Sequence, residues 1–193
     1  MYPAIAKLDS THFVVSWKLG TATKTKVLSV SGTTISSVTN THPMSESSSD
    51  KHLKLVALDS MHWILAWSET TGNSKVGSYS GSTISYGSEQ QYESDGAGDY
   101  LGLCYKDSTH FHIVYECANN SNYGTYKAAV VSGSSISYGS SNVYNNTESR
   151  FNSIADLEEG NLIVAYQDVN NYQKGKARAY TIPPTKFRAW ILH

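Results

Sequence analysis

Lys106-Asp107-Ser108-Thr109-His110-Phe111 is a tight polar turn running into an apolar strand, and it is one of four such phrases in the chain. Leu8-Asp9-Ser10-Thr11-His12-Phe13 and Leu58-Asp59-Ser60-Met61-His62-Trp63 precede it. A divergent copy, Leu157-Glu158-Glu159-Gly160-Asn161-Leu162, follows. The four starts lie 50, 48 and 51 residues apart. A second phrase keeps the same phase: Ser31-Gly32-Thr33-Thr34-Ile35-Ser36, Ser80-Gly81-Ser82-Thr83-Ile84-Ser85 and Ser132-Gly133-Ser134-Ser135-Ile136-Ser137. Two independent phrases in one phase mark an internal repeat of about 49 residues.

Each unit resolves into short strands. One enters the Asp-Ser-Thr-His turn, and a second leaves it as Phe13 to Trp17, Trp63 to Trp67, Phe111 to Tyr115 and Leu162 to Tyr166. These runs are apolar on both faces, which places their sheets between other sheets. A third strand, such as Thr125 to Val131, follows a polar loop. The Ser-Gly pair is expected to form a two-residue hairpin turn into a fourth strand, because glycine accepts positive φ. The expected fold is therefore all-β and β-propeller-like, with four repeats, each a four-stranded antiparallel blade. The units fall at about 1–49, 50–98, 99–149 and 150–182. A solenoid needs shorter coils, and a β-sandwich lacks a strict repeat. Four blades can close alone, and two chains can also close one larger ring.

Residues 183–193 form an apolar tail opened by Pro183-Pro184. It stands where the missing fourth-unit phrase belongs. Either it supplies an outer strand, or Phe187, Trp190, Ile191 and Leu192 dock into another subunit or a virion partner protein.

Composition limits the function. Formal net charge is -1 and charged residues make up 16%, so nothing here holds a nucleic-acid backbone. No apolar run is long enough to span a bilayer. The segment from Met1 to Lys7 lacks the basic and apolar regions of a signal peptide. Cys104 and Cys117 flank a hairpin that is expected to set Cys104 opposite Ile113, so two buried free thiols are expected rather than a disulfide.

The repeat resembles a class of propeller-like repeats in bacterial, phage and environmental sequences, whose consensus runs Leu-Asp-Ser-Thr-His-Phe-Val-Val-Ala-Tyr, then Asn-Ser-Asn-Tyr-Gly-Thr, then Val-Ser-Gly-Thr-Thr-Ile-Ser-Tyr-Gly-Ser. Residues 107–140 match best. The resemblance implies a propeller scaffold on extracellular or virion surfaces and transfers no catalytic residue.

Several groups invite a chemical reading. Asp9, Asp59 and Asp107 with His12, His62 and His110 look like triad members, but each set sits inside one tight turn, where Asp ordinarily bonds backbone N–H groups. Trp17, Trp67, Tyr115 and Tyr166 hold one equivalent position. They either pack between blades or form sugar-stacking platforms with the polar residues beyond them, among them Ser68, Glu69, Glu116, Gln167 and Asp168. The run Glu93-Ser94-Asp95-Gly96-Ala97-Gly98-Asp99 could hold calcium but lacks EF-hand spacing, so it reads as a solvated turn and no cofactor is expected. Glu69, Glu116 and Asp168 fall at related places without marking a catalytic pair. The sequence thus points to a non-catalytic module that binds a glycan or surface receptor on a virion or cell surface. A structural assembly component and a glycoside hydrolase are the alternatives.

Overall fold

A computed structural model describes residues 3–45, 51–94, 96, 98–157 and 160–181. The chain is all-β and every strand pairing is antiparallel. The first unit holds β1 (Ala4–Lys7), β2 (His12–Leu19), β3 (Ala22–Ser31), β4 (Thr34–Ser37) and β5 (His42–Ser45). The second holds β6 (Lys51–Ala57), β7 (His62–Ser68), β8 (Gly72–Ser80), β9 (Thr83–Tyr86) and β10 (Gln90–Glu93). Then come β11 (Gly98–Asp107), β12 (His110–Cys117), β13 (Tyr123–Ser132), β14 (Ser135–Tyr138) and the long β15 (Asn142–Asp156), followed by β16 (Asn161–Asp168) and β17 (Lys174–Thr181). Among the described residues no helix is long and apolar enough to cross a membrane. Phe187, Trp190, Ile191 and Leu192 lie outside the described residues.

The fourth-strand position differs from the sequence expectation. It is shared by two short strands: β4 pairs with one half of β3 and β5 with the other, and β9 and β10 divide β8 in the same way. In the third unit β14 and the first half of β15 divide β13, and the second half of β15 then pairs with β16. One strand therefore serves two units.

The turns follow from local chemistry. Ser31 pairs with Thr34, Ser80 with Thr83 and Ser132 with Ser135, so the hairpin loops are Gly32-Thr33, Gly81-Ser82 and Gly133-Ser134, one residue beyond the expected Ser-Gly pairs. Each glycine holds φ near 58° (58°, 58° and 59°) at the first loop position, which side chains avoid. At the other turn, the Asp9 carboxylate accepts from the backbone N–H groups of Thr11 (2.7 Å) and His12 (2.8 Å) and meets the His12 ring. Asp59 does the same with Met61 and His62, and Asp107 with Thr109 and the His110 ring. The Asp and His side chains thus close their own turns. Lys106 is an extra residue between the pairs Tyr105–Phe111 and Asp107–His110, so Cys104 stands opposite His112 rather than Ile113. Both cysteines are free and buried.

Three apolar cores hold the units together, one at each junction. Val14, Val27, Leu53, Trp63 and Trp67 fill the first; Ile64, Val76, Tyr92, Phe111 and Tyr115 the second; Val114, Tyr126, Tyr144, Val164 and Tyr166 the third. Alternate residues of β7 and β12 thus enter opposite cores, which explains strands apolar on both faces. Tyr92 and Tyr144 reach from one unit into the next, where the ring of Tyr92 lies tilted 5.1 Å from Tyr115 and that of Tyr144 5.3 Å from Tyr166. Glycine makes room for them: a Cβ on Gly72 would stand 2.2 Å from the Tyr92 ring, and one on Gly124 2.4 Å from the Tyr144 ring. The first unit carries Thr23 and Met44 at the corresponding positions. Hydroxyl clamps repeat as well, Tyr86 donating to Thr25 (2.6 Å) and Tyr138 meeting Ser74 (2.7 Å) across successive junctions.

Candidate ligand-binding site

The repeated aromatics of the leaving strands are packing residues in geometry. Trp67 and Tyr115 are fully buried, Tyr166 nearly so, and only Trp17, on the face turned away from the second unit, is half-buried. Burying one such ring contributes roughly 1.5–3 kcal/mol. The polar residues beyond them do not converge. Trp67 donates to Glu69 (3.1 Å), while Asp168 accepts from Lys176 (2.5 Å) and Thr147 (2.9 Å), which hold its carboxyl below the usual range despite burial. In the acidic loop, Asp95 lies outside the described residues, Glu93 turns inward to accept from Tyr115 (3.1 Å), and Asp99 accepts from Ser68 (2.5 Å). Among the described residues no group of three or more His, Cys, Asp or Glu is placed to hold a metal ion.

A different set of rings lines the surface, partly buried at His52 and Tyr100 and exposed at Phe151. The entering strands β6, β11 and β15 each carry a bulge, between Lys51 and Lys54, Asp99 and Gly102, and Arg150 and Ser153. Inside each bulge one residue adopts the left-handed conformation: His52 (φ 51°), Tyr100 (φ 48°) and Phe151 (φ 53°). For bulky side chains this costs of order 1 kcal/mol each. The bulge throws each ring off its strand, and the three rings stand in file, His52 to Tyr100 at 4.8 Å and Tyr100 to Phe151 at 5.0 Å. Phe151 is 68% exposed. They line a groove of about 300 Å³ together with Lys54, Asn152 and Ser153.

Charged residues sit directly behind the rings. Asp99 precedes Tyr100 and lies 4.0 Å from the His52 ring nitrogen. Arg150 precedes Phe151, covers the Tyr100 ring at 5.9 Å and pairs with Glu148. Glu116, directly across the ladder from Asp99, is 7% exposed, and its Oε2 meets no hydrogen-bond donor among the described residues. Burial first, and the neighbouring Glu148 and Asp99 charges with it, push the Glu116 carboxyl up to about 7 against the pull of Arg150.

Sequence reasoning missed the ring file, although a signal for it exists. An aromatic or imidazole side chain stands six residues before the start of every turn phrase: Tyr2, His52, Tyr100 and Phe151. Tyr2 lies outside the described residues.

No family model matches the chain, and no curated protein does. Solved structures do. A point mutant of NanB sialidase from Streptococcus pneumoniae matches with a TM-score of 0.63 and 11% identity, over 91% of this chain and 29% of that one. Leech intramolecular trans-sialidase matches with a TM-score of 0.61 and 12% identity, over 91% of this chain and 30% of that one. A triple mutant of AofleA from Arthrobotrys oligospora matches with a TM-score of 0.53 and 12% identity, over 94% of this chain and 57% of that one. The chain thus spans under a third of the sialidase chains, and the likeness is one of fold: antiparallel sheets packed side by side, as in β-propellers.

Proposed function

We propose that the chain is a four-unit β-propeller-like module that binds carbohydrate without transforming it, in the groove lined by His52, Tyr100 and Phe151. The observation that carries this is the ring file itself: three rings held in strained backbone along one groove, with Phe151 exposed and His52 and Tyr100 partly so. Flat apolar rings beside hydrogen-bonding groups suit the C–H faces and hydroxyls of pyranoses. Two of the acidic positions open to a hydrolase, Glu69 and Asp168, are engaged with Trp67 and with Lys176, which supports binding over hydrolysis. The resemblance of the repeats to those of bacterial and phage sequences supports display on a virion or cell surface, where several weak sites gain from avidity.

A glycan array probed with the purified chain tests this. Specific signals that vanish in Tyr100→Ala and Phe151→Ala, with unchanged melting, are the expected result. A clean negative at high protein concentration, or binding that survives the loss of both rings, overturns it.

A further inference from the structure

We infer that the outward faces of the first and fourth units dock on one another between two copies of this chain, head to tail, repeating the junction that joins the units within it. The inference stands apart from the glycan-binding reading and does not depend on it.

Each internal junction sets one kind of sheet face on another. Successive side chains of the strand that leaves the Asp turn point alternately to the preceding and to the following unit. Trp63, Leu65 and Trp67 thus share a core with Val14 of the first unit. Phe111, Ile113 and Tyr115 share one with Ile64 and Ala66 of the second, and Leu162, Val164 and Tyr166 one with Val114 of the third. A face of large side chains meets a face of smaller ones each time, and every one of these residues is buried.

The same positions are open at the two ends of the described array. Phe13, Val15 and Trp17, which match Trp63, Leu65 and Trp67, are only half-buried, and Ile5, across the ladder from Val15, is 65% exposed. From outside the first unit, β6 packs on β1 and β2, and the core it shares with them holds Val14, on the opposite face. In the fourth unit Ile163 is half-buried and Ala165, which matches Ala66, is exposed. Exposed too are Ala155 and Ala179, across from Ile163, and Ala177, across from Ala165. The first unit therefore presents the large kind of face and the fourth the kind that receives it. Both stay open within one chain, so the partner that fits each is a second copy.

A polar group repeats the match. Lys127, across from Ile113, and Arg178, across from Val164, each donate over their junction to a backbone carbonyl, that of Tyr92 and that of Tyr144. Lys26, across from Val15, brings a donor to the same place on the open face of the first unit. Because the two faces differ, the contact is heterologous, and a pair keeps one face of each kind free until the copies close a ring.

Gel filtration with light scattering at micromolar concentration tests the inference. The parent chain is expected as an assembly of two or more copies. Ala165→Arg and Val15→Arg each place an unpaired charge in the contact and should weaken assembly at least about a hundredfold, leaving monomers with an unchanged circular-dichroism spectrum. Ile5→Arg, at a position exposed in the single chain, takes the place of Val15→Arg should that variant fold poorly. Ala165→Arg and Val15→Arg chains mixed in equal amounts keep one intact face each, and should recover a pair holding one of each, read from a mass tag on one of them. A monomeric parent overturns the inference, and so does one that assembles only when residues 182–193 are removed, which assigns a face to that segment. Self-association of either variant alone, as when a face docks on its own kind, or a mixture that stays monomeric, overturns it as well. The glycan array is read independently of all these outcomes.

Discussion

Two successive junctions are built to one plan and finished differently. Between the second and third units, Tyr92 donates to the carbonyls of Gly98 (2.8 Å) and Trp67 (3.2 Å), Tyr115 donates to Glu93, and Ser68 donates to Asp99. Between the third and fourth, Tyr144 fills the same wedge and donates to Asn152 (2.6 Å), but Glu116 and Arg150 replace Ser68 and Asp99 and do not pair. The apolar wedge is common to both junctions and the polar ending is not. A repeated scaffold can thus keep its stability in the shared wedge and place chemistry at one copy of a tolerant position.

The largest test is to empty a wedge. Tyr92→Ala removes a fully buried ring and two hydrogen bonds, and should cost about 3–5 kcal/mol in denaturant melts. A loss below about 1 kcal/mol would mean that the second junction does not depend on it. Ser68→Ala comes next. It removes a donor to Asp99, a partly exposed carboxylate, and should cost about 1–2 kcal/mol at pH 7.

Glu116→Gln should act with the opposite sign. Because the folded structure raises this carboxyl to about 7 from the usual 4.5, its contribution is full below pH 4.5 and is lost as pH rises through 7. The variant should therefore gain on the parent by about 2–3 kcal/mol between pH 5 and pH 8, read from melting temperatures across that range. A parallel pH profile for the two chains would place Glu116 in water. The turn carboxylates run the other way. Backbone hydrogen bonds, first from Thr11, hold Asp9 down to about 2 from 3.8, so its stabilisation is present above pH 3.8 and fades as pH falls towards 2.

The smallest effect on stability separates site from scaffold. Tyr100→Gly relieves a left-handed tyrosine and should leave stability unchanged or raise it by up to about 1 kcal/mol, while abolishing glycan signal. Destabilisation would assign the ring a packing role.

The repeat, the antiparallel strands and the self-closing Asp turns were legible because each rests on short-range chemistry stated three times over. The shifted hairpin loop was not. A Ser-Gly-Thr-Thr string fits two registers, and only the cross-strand pairs choose between them. The division of the outer strand, and the bulges that carry His52, Tyr100 and Phe151, arise where backbone departs from regular pairing, which hydrophobic alternation does not encode. The sequence drew attention to Trp67 and Tyr115, whose rings lie in the cores, while the rings of the groove stand on residues that differ in kind from unit to unit and share only their phase.

The long strand β15 has a mechanical consequence. The third and fourth units share one backbone segment hydrogen-bonded to β13 along its first half and to β16 along its second. Tension applied to the C-terminal side of the chain is therefore carried across that junction in shear, spread over both ladders at once. A pulling experiment that grips the described C-terminal strand should release these two units in one step, as a single extension longer than either unit alone.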